Sequence, residues 1–150
     1  MSHVYHELVF HFVWATKNRE PLITPKVESH LFPFIERKCK QLGYWLHAVN
    51  GTEDHLHILI TLSPTDLIAN VAKNLKGASS HYINKELGLE DILYWQEGYG
   101  VLSLRKKDIA IVADYIRRQK EHHQAGTLIT KLERWEAARK PAVRKKRWAI

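Results

Sequence analysis

The sequence predicts an α+β domain built on a mainly antiparallel sheet. Short apolar segments with two-residue alternation, the periodicity of half-buried strands, are interleaved with longer segments of helical periodicity. Two of the strand-like segments follow one another directly, as in a hairpin, with no helix between them. The order of elements is strand, helix, strand, strand, helix, strand, helix.

Val4 to Trp14 alternates: Leu8, Phe10, Phe12 and Trp14 point one way, and Tyr5, Glu7, Val9 and His11 the other. This is a strand with one face in the core. Pro25 opens a helix that runs to about Leu42, with Leu31, Phe34, Ile35 and Lys38/Cys39 at helical spacing and Gly43 at the C-terminal cap position. "YWLHAVNG" reads as the second strand, with Asn50-Gly51 as a turn signal, and "HLHILITL" as the third strand, antiparallel to it. Ser63-Pro64-Thr65-Asp66 has the chemistry of a helix start: a serine cap, proline in the first turn and an acid near the positive end of the dipole. Leu67, Ile68, Val71, Leu75, Tyr82 and Ile83 form the buried stripe of that helix. "ILYWQEGYGVLSL" is aromatic and β-like, with Gly98 and Gly100 at bends or bulges. Lys107 to His123 is a third helix whose core stripe is Ile109, Val112, Ala113 and Ile116. The pattern is ferredoxin-like, βαββαβ with an additional C-terminal helix. One domain over residues 1–125 is followed by a basic tail over 126–150, either part of the same unit or partly flexible.

Composition sets the outer bounds. The chain has 150 residues, 45% hydrophobic and 26% charged, enough for a real core. No apolar run is long enough to span a bilayer. The opening "MSHVYHELVFHFVWATKN" lacks a basic leader, and Glu7 and three histidines interrupt it, so it does not read as a secretory signal. The single cysteine, Cys39, allows no internal disulfide, suits a reducing compartment and reads as a buried or idle thiol. The expected location is the cytoplasm, in association with the nucleoid. The net charge of +7 favours a polyanionic partner.

"EDHLHILITL" carries the first chemical signal. Residues two apart on a strand share a face, so Leu56, Ile58, Ile60 and Leu62 pack inward while His55 and His57 project from the opposite face, which helices need not cover. Two neutral imidazoles on one face can share a divalent cation; the plainer reading is two polar residues on a wet sheet face. On the third helix, Tyr115 and Gln119 lie about 40° apart on one flank, off the core stripe. A phenol and an amide carbonyl are there available to meet the imidazoles. Each alone also fits a half-buried or solvated side chain. His122 and His123 follow on overlapping flanks, either as alternative ligands or as proton shuttles. Glu7, His11 and Asp54 are candidates to orient the histidine pair.

Taken together, His55-Leu56-His57 on a strand with Tyr115 and Gln119 on a late helix resembles the single-tyrosine HUH transposases. These are the TnpA enzymes of the insertion sequence 200/605 type and their REP-associated tyrosine transposase relatives. "FHFVWATKNREPLI" is similar to the opening strand and basic turn of that family. "DHLHILI" is similar to its metal-binding strand, "LKGASSHYIN" to its central helix, and "WQEGYGVLSL" to the strand before the nucleophile helix. The likeness spans roughly residues 4 to 123. It implies that Tyr115 is the nucleophile, that His55, His57 and Gln119 hold Mg2+ or Mn2+, and that single-stranded DNA is cleaved through a covalent 5′-phosphotyrosine. It further implies hairpin DNA as partner and a homodimer with composite active sites, the histidine pair of one subunit meeting the tyrosine helix of the other. No "GxxxxGK" nucleotide-binding loop is present, and none is needed, because phosphotyrosine retains the energy of the broken bond.

Candidate DNA contacts are Lys17 and Arg19 after the first strand, and Lys73, Lys76, Ser79 and Ser80 around Gly77. In the tail they are Arg144, Lys145, Lys146 and Arg147, in a basic run bracketed by Trp135 and Trp148. An alternative reading is a domesticated hairpin-binding protein without transposition activity.

Overall fold

The computed structural model describes residues 3–88 and 92–135. Among them, four strands form one sheet in the order β2-β3-β1-β4. β1 (Leu8–Ala15) and β3 (His55–Leu62) are central, β2 (Trp45–Thr52) and β4 (Gly100–Leu104) lie at the edges, and every pairing is antiparallel. This is the ferredoxin-like βαββαβ arrangement expected from the sequence.

The register places Phe12 opposite Ile58 and Trp14 opposite Leu56, so their side chains share one sheet face. That face packs on Val27, Leu31, Ile35 and Cys39 of α1 (Pro25–Leu42) and on Val71, Ala72 and Leu75 of α2 (Ile68–His81). The expected limits of α1 hold. The Thr24 side chain accepts a hydrogen bond from the Val27 amide at the start, and Gly43, at φ 81°, turns its amide back to the carbonyls of Cys39 and Lys40.

The opposite face is also covered. Val9, Ala48 and Leu59 pack against Val112, Ala113, Tyr115 and Ile116 of α3 (Ile109–Arg117), with Leu132 completing the cluster. The face that helices need not have covered is thus covered by α3. The apolar stripe of α3 has to be buried, and α1 and α2 already occupy the other side.

Several element boundaries differ from the sequence reading, beginning with β1, which starts at Leu8 and not at Val4. Asn50-Gly51 is not a turn. Both residues lie in β2, paired with His57 and Leu56, and the hairpin turns at Glu53 and Asp54. Asn50 instead donates to the Arg117 carbonyl at 2.9 Å, and a Cβ on Gly51 would stand 2.1 Å from the carbonyl oxygen of His55. Ser63 to Asp66 close on themselves: the Ser63 amide and hydroxyl donate to the Asp66 carboxylate, so α2 begins only at Ile68 and Leu67 stays exposed. A π-helical turn, Tyr82–Glu86, extends α2 and buries Ile83. The aromatic segment before β4 contributes one bridge, Trp95 to Thr16, and the strand proper starts at Gly100. The third helix is two helices, α3 and α4 (Gln119–Ala125), broken at Arg118.

Candidate active site

His55 and His57 project from β3 onto the face covered by α3, and they are 2% and 0% exposed. Each ring is held through Nδ1, so Nε2 points into a common space. For His55 the partners of Nδ1 are Asp54 Oδ1 at 2.8 Å and Thr52 Oγ1 at 2.9 Å, and Asp54 also pairs with Arg19 at 3.2 Å. For His57 the partner is Nε2 of His11, at 2.8 Å. His11 and Asp54 thus take up the orienting positions anticipated for them. Glu7 does not: it is exposed, precedes β1 and accepts from the Tyr5 hydroxyl.

The helix break decides how Tyr115 and Gln119 meet this pair. Tyr115 lies in the last turn of α3, Gln119 begins α4, and both are buried, at 3% and 0% exposure. Tyr115 is therefore part of the second core and not off it, a correction to the flank reading. Gln119 Oε1 lies 3.0 Å from His55 Nε2. Lys120 anchors α4 on β2 and α1, bonding Asn50, the Gly51 carbonyl and Glu28.

One residue at the centre was not anticipated. Glu133 arrives from the segment expected to be tail. Its Oε1 is 3.1 Å from His57 Nε2, 3.2 Å from His55 Nε2 and 3.3 Å from His123 Nε2. Its other oxygen, Oε2, accepts from Gln119 Nε2 at 2.9 Å and from the Tyr115 hydroxyl. No spacing rule connects residue 133 to residue 57, but an acid in a segment otherwise suited to a polyanion was a usable signal. Of the two adjacent histidines, His123 faces the site, whereas His122 stacks on the Tyr115 ring with centroids 4.4 Å apart and bonds Thr127.

The electrostatics follow from this packing. Burial pushes His55 down, but its hydrogen bonds to Asp54, Glu133 and Gln119 more than reverse that and raise it to about 9. Burial dominates at His57, which is lowered, and at His11, which is lowered to about 3. Burial also opposes charge on Glu133, yet the surrounding imidazoles hold its carboxyl well below the usual range. Tyr115 is pushed up to about 12, first by burial and then by its bond to Glu133, so the phenol carries its proton at neutral pH and aims it at a carboxylate.

The donor set fits a divalent cation. His55, His57 and Glu133 offer ligand atoms within 4.8 Å of one another. Gln119 adds an amide oxygen. His123 Nε2, although close to Glu133, is a buried nitrogen without an aligned hydrogen bond. The outer partners of both histidines fix the rings as metal sites require.

The expected DNA contacts divide. Lys17, Arg19 and Lys73 are exposed. Lys76 is half-buried and donates at 2.8 Å to the carbonyls of Gln96 and Gly98. Ser80 lies beside it, partly exposed. Ser79 is fully buried and accepts from Trp95 Nε1 at 3.0 Å, a placement that removes it from any phosphate. Arg144, Lys145, Lys146 and Arg147 lie outside the described residues.

The family model described as "Transposase IS200 like" matches residues 4–119. The ISDra2 transposase TnpA of Deinococcus radiodurans is 26% identical over 123 residues, 79% of this chain and 87% of that protein. The transposase for insertion sequence element IS200 of Salmonella typhimurium is 24% identical over 131 residues, 84% and 86% of the two chains. A solved transposase structure from Deinococcus radiodurans superposes with a TM-score of 0.61 at 27% identity, covering 79% of this chain and 95% of that one. A REP-associated tyrosine transposase, solved bound to a REP hairpin, shares the fold with a TM-score of 0.53 at 20% identity, over 85% and 76%. Fold and sequence together define a DNA transposase. The chain belongs to the IS200-like transposase family.

Proposed function

We propose that this transposase cleaves and rejoins single-stranded DNA at hairpin-marked ends through a covalent 5′-phosphotyrosine on Tyr115. The observation that carries the reading is that the Tyr115 hydroxyl and the Nε2 atoms of His55 and His57 converge on one carboxylate within one chain. Nucleophile and ligand pair therefore address the same point in space.

In this reading His55, His57 and Gln119 hold Mg2+ or Mn2+, and their imidazole nitrogens suit Mn2+ better. The ion supplies polarisation of a non-bridging phosphate oxygen and stabilisation of charge on the departing 3′-oxygen. The Tyr115 oxygen forms the new bond to phosphorus, the phosphorus–3′-oxygen bond breaks, and the 3′-oxygen leaves with the electron pair and is protonated. The phenol loses its proton as the bond forms, because a tyrosine held near 12 is not ionised beforehand, and the proton gained by the departing 3′-oxygen balances it. Reverse attack by a 3′-hydroxyl reseals the strand and frees Tyr115. Burial of both histidines and of Gln119 limits water at the reacting phosphate.

Hairpin DNA as the partner is supported by the net charge of +7 and by the shared fold of the hairpin-bound transposase. Lys17, Arg19, Lys73, Lys76 and Ser80 are the proposed contacts among the described residues, and the basic run through Arg144–Arg147 is proposed to add charge neutralisation. A homodimer with composite sites would require α3 and α4 to exchange between copies. Here Tyr115 meets the histidine pair of its own chain, which favours a site complete in one copy.

The test is incubation with single-stranded hairpin oligonucleotides and Mn2+. A DNA–protein adduct stable to denaturant is expected from the unaltered protein and none from Tyr115→Phe. Equal adducts from both would assign the nucleophile elsewhere; hairpin binding without any adduct would favour the domesticated binding protein.

A further inference from the structure

We propose that Glu133 is an additional ligand to the divalent ion and at the same time the residue that positions Tyr115, so that residues 127–133 belong to the catalytic unit. The proposal rests on the reading of His55 and His57 as ligands and adds to it a donor from a segment expected to serve DNA binding.

The two carboxylate oxygens face different groups. Oε1 stands 3.1–3.3 Å from the Nε2 atoms of His57, His55 and His123. Oε2 receives the Tyr115 hydroxyl and the Gln119 amide. One rigid, planar group therefore spans the ligand cluster and the nucleophile, and fixes their separation more firmly than two independent side chains could. Hard carboxylate oxygen is also the donor type that Mg2+ and Mn2+ prefer, and an imidazole pair with an amide supplies none.

The segment that delivers Glu133 is seated on both sides of it. Leu132 is buried in the second core, 7% exposed. Ile129 donates its amide to the Tyr115 oxygen at 3.0 Å, so the same strap holds the phenol twice. After Glu133 the chain passes so close to β4 that a Cβ on Gly100 would stand 1.8 Å from the carbonyl oxygen of Arg134. Upstream, Gly126, at φ 71°, turns the chain back from α4, and the Thr127 amide bonds the His122 carbonyl at 3.0 Å. Glu133 is thus held in the site by backbone and core contacts and does not reach it as a free side chain.

The deciding measurement is Mn2+ affinity of the full chain by calorimetry, without DNA, for the unaltered protein, Glu133→Gln and Glu133→Asp. Glu133→Gln keeps the shape and an acceptor for Tyr115 but loses the charge. It is expected to weaken Mn2+ binding by about tenfold or more, and Glu133→Asp to restore part of the loss. In adduct formation, Glu133→Gln should lower kcat with little change in KM for the hairpin. Unchanged Mn2+ affinity in Glu133→Gln would overturn the proposal. So would faster adduct formation, which would mean that the carboxylate merely occupies the place of the substrate phosphate. Because ion binding is read without DNA, it decides the ligand assignment even if no variant forms an adduct, an outcome that would sink the transesterase reading alone.

Discussion

Nε2 of His11 lies 2.8 Å from Nδ1 of His57, and the two rings stack with centroids 5.0 Å apart. The contact exists because β1 and β3 are neighbours, with His11 opposite Leu59, placing it diagonally from His57 on the same face. For His57 Nε2 to offer a lone pair, its Nδ1 must carry the proton and donate it to His11 Nε2. His11 then serves as acceptor in its neutral form, which its burial favours.

His11→Phe keeps a buried ring but removes the acceptor. Mn2+ affinity should fall by roughly 10- to 100-fold, the usual cost of losing an outer partner of a metal-bound histidine. Titration calorimetry reads this directly, and an unchanged affinity would show that His11 is only packing.

The placement of Tyr115 beside its own histidine pair predicts the outcome of subunit mixing. Tyr115→Phe and His57→Ala proteins, each inactive alone, should remain inactive when mixed, measured as covalent adduct on a hairpin oligonucleotide. Recovery of adduct in the mixture would mean that α3 and α4 exchange between copies.

Two glycines should respond to alanine in opposite senses. A Cβ at Gly51 would meet the His55 carbonyl at 2.1 Å, so Gly51→Ala forces β2 away from β3 beside the histidine pair. A loss of about 1–3 kcal/mol in stability is expected. A Cβ at Gly77, inside α2, meets nothing within 4 Å. Gly77→Ala should raise stability by about 0.5–1 kcal/mol through helix propensity, while weakening hairpin binding if the strand approaches this face. Urea midpoints and a hairpin titration test both; an unstable Gly77→Ala would contradict the open surface.

Cys39 is buried against the first core, and burial, with Glu36 nearby, pushes its thiol up from 9.0 to about 12. Between these values the unfolded chain releases the thiol proton and the folded chain keeps it. The unfolded state then binds fewer protons, so this group lowers stability as pH rises from 9 towards 12. The unaltered protein should lose stability more steeply than Cys39→Ala over that range, read as denaturation midpoints. Parallel curves would show that the thiol ionises equally in both states.

Much of the fold was legible because it rests on local regularities. Alternation in β1 and β3 assigned Phe12, Trp14, Leu56 and Ile58 to one face and His11, His55 and His57 to the other, as the packing confirms. Pro25 and Gly43 bounded α1 because such start and stop signals act within a few residues of themselves. The hairpin turn was misread because Asn50-Gly51 has turn chemistry whether or not the chain turns there. In the fold Asn50 instead binds the end of α3, a partner far along the sequence.

By itself the sequence determined which side chains share a strand face or a helix flank, since period and propensity are properties of neighbouring residues. Only the tertiary structure decided what fills the space between those faces. It broke the last helix at Arg118, buried Tyr115, and brought Glu133 to His57 from 76 residues away. Such contacts depend on how α3, α4 and the following strap pack over an already formed sheet. That packing is a cooperative, long-range outcome which no local pattern encodes.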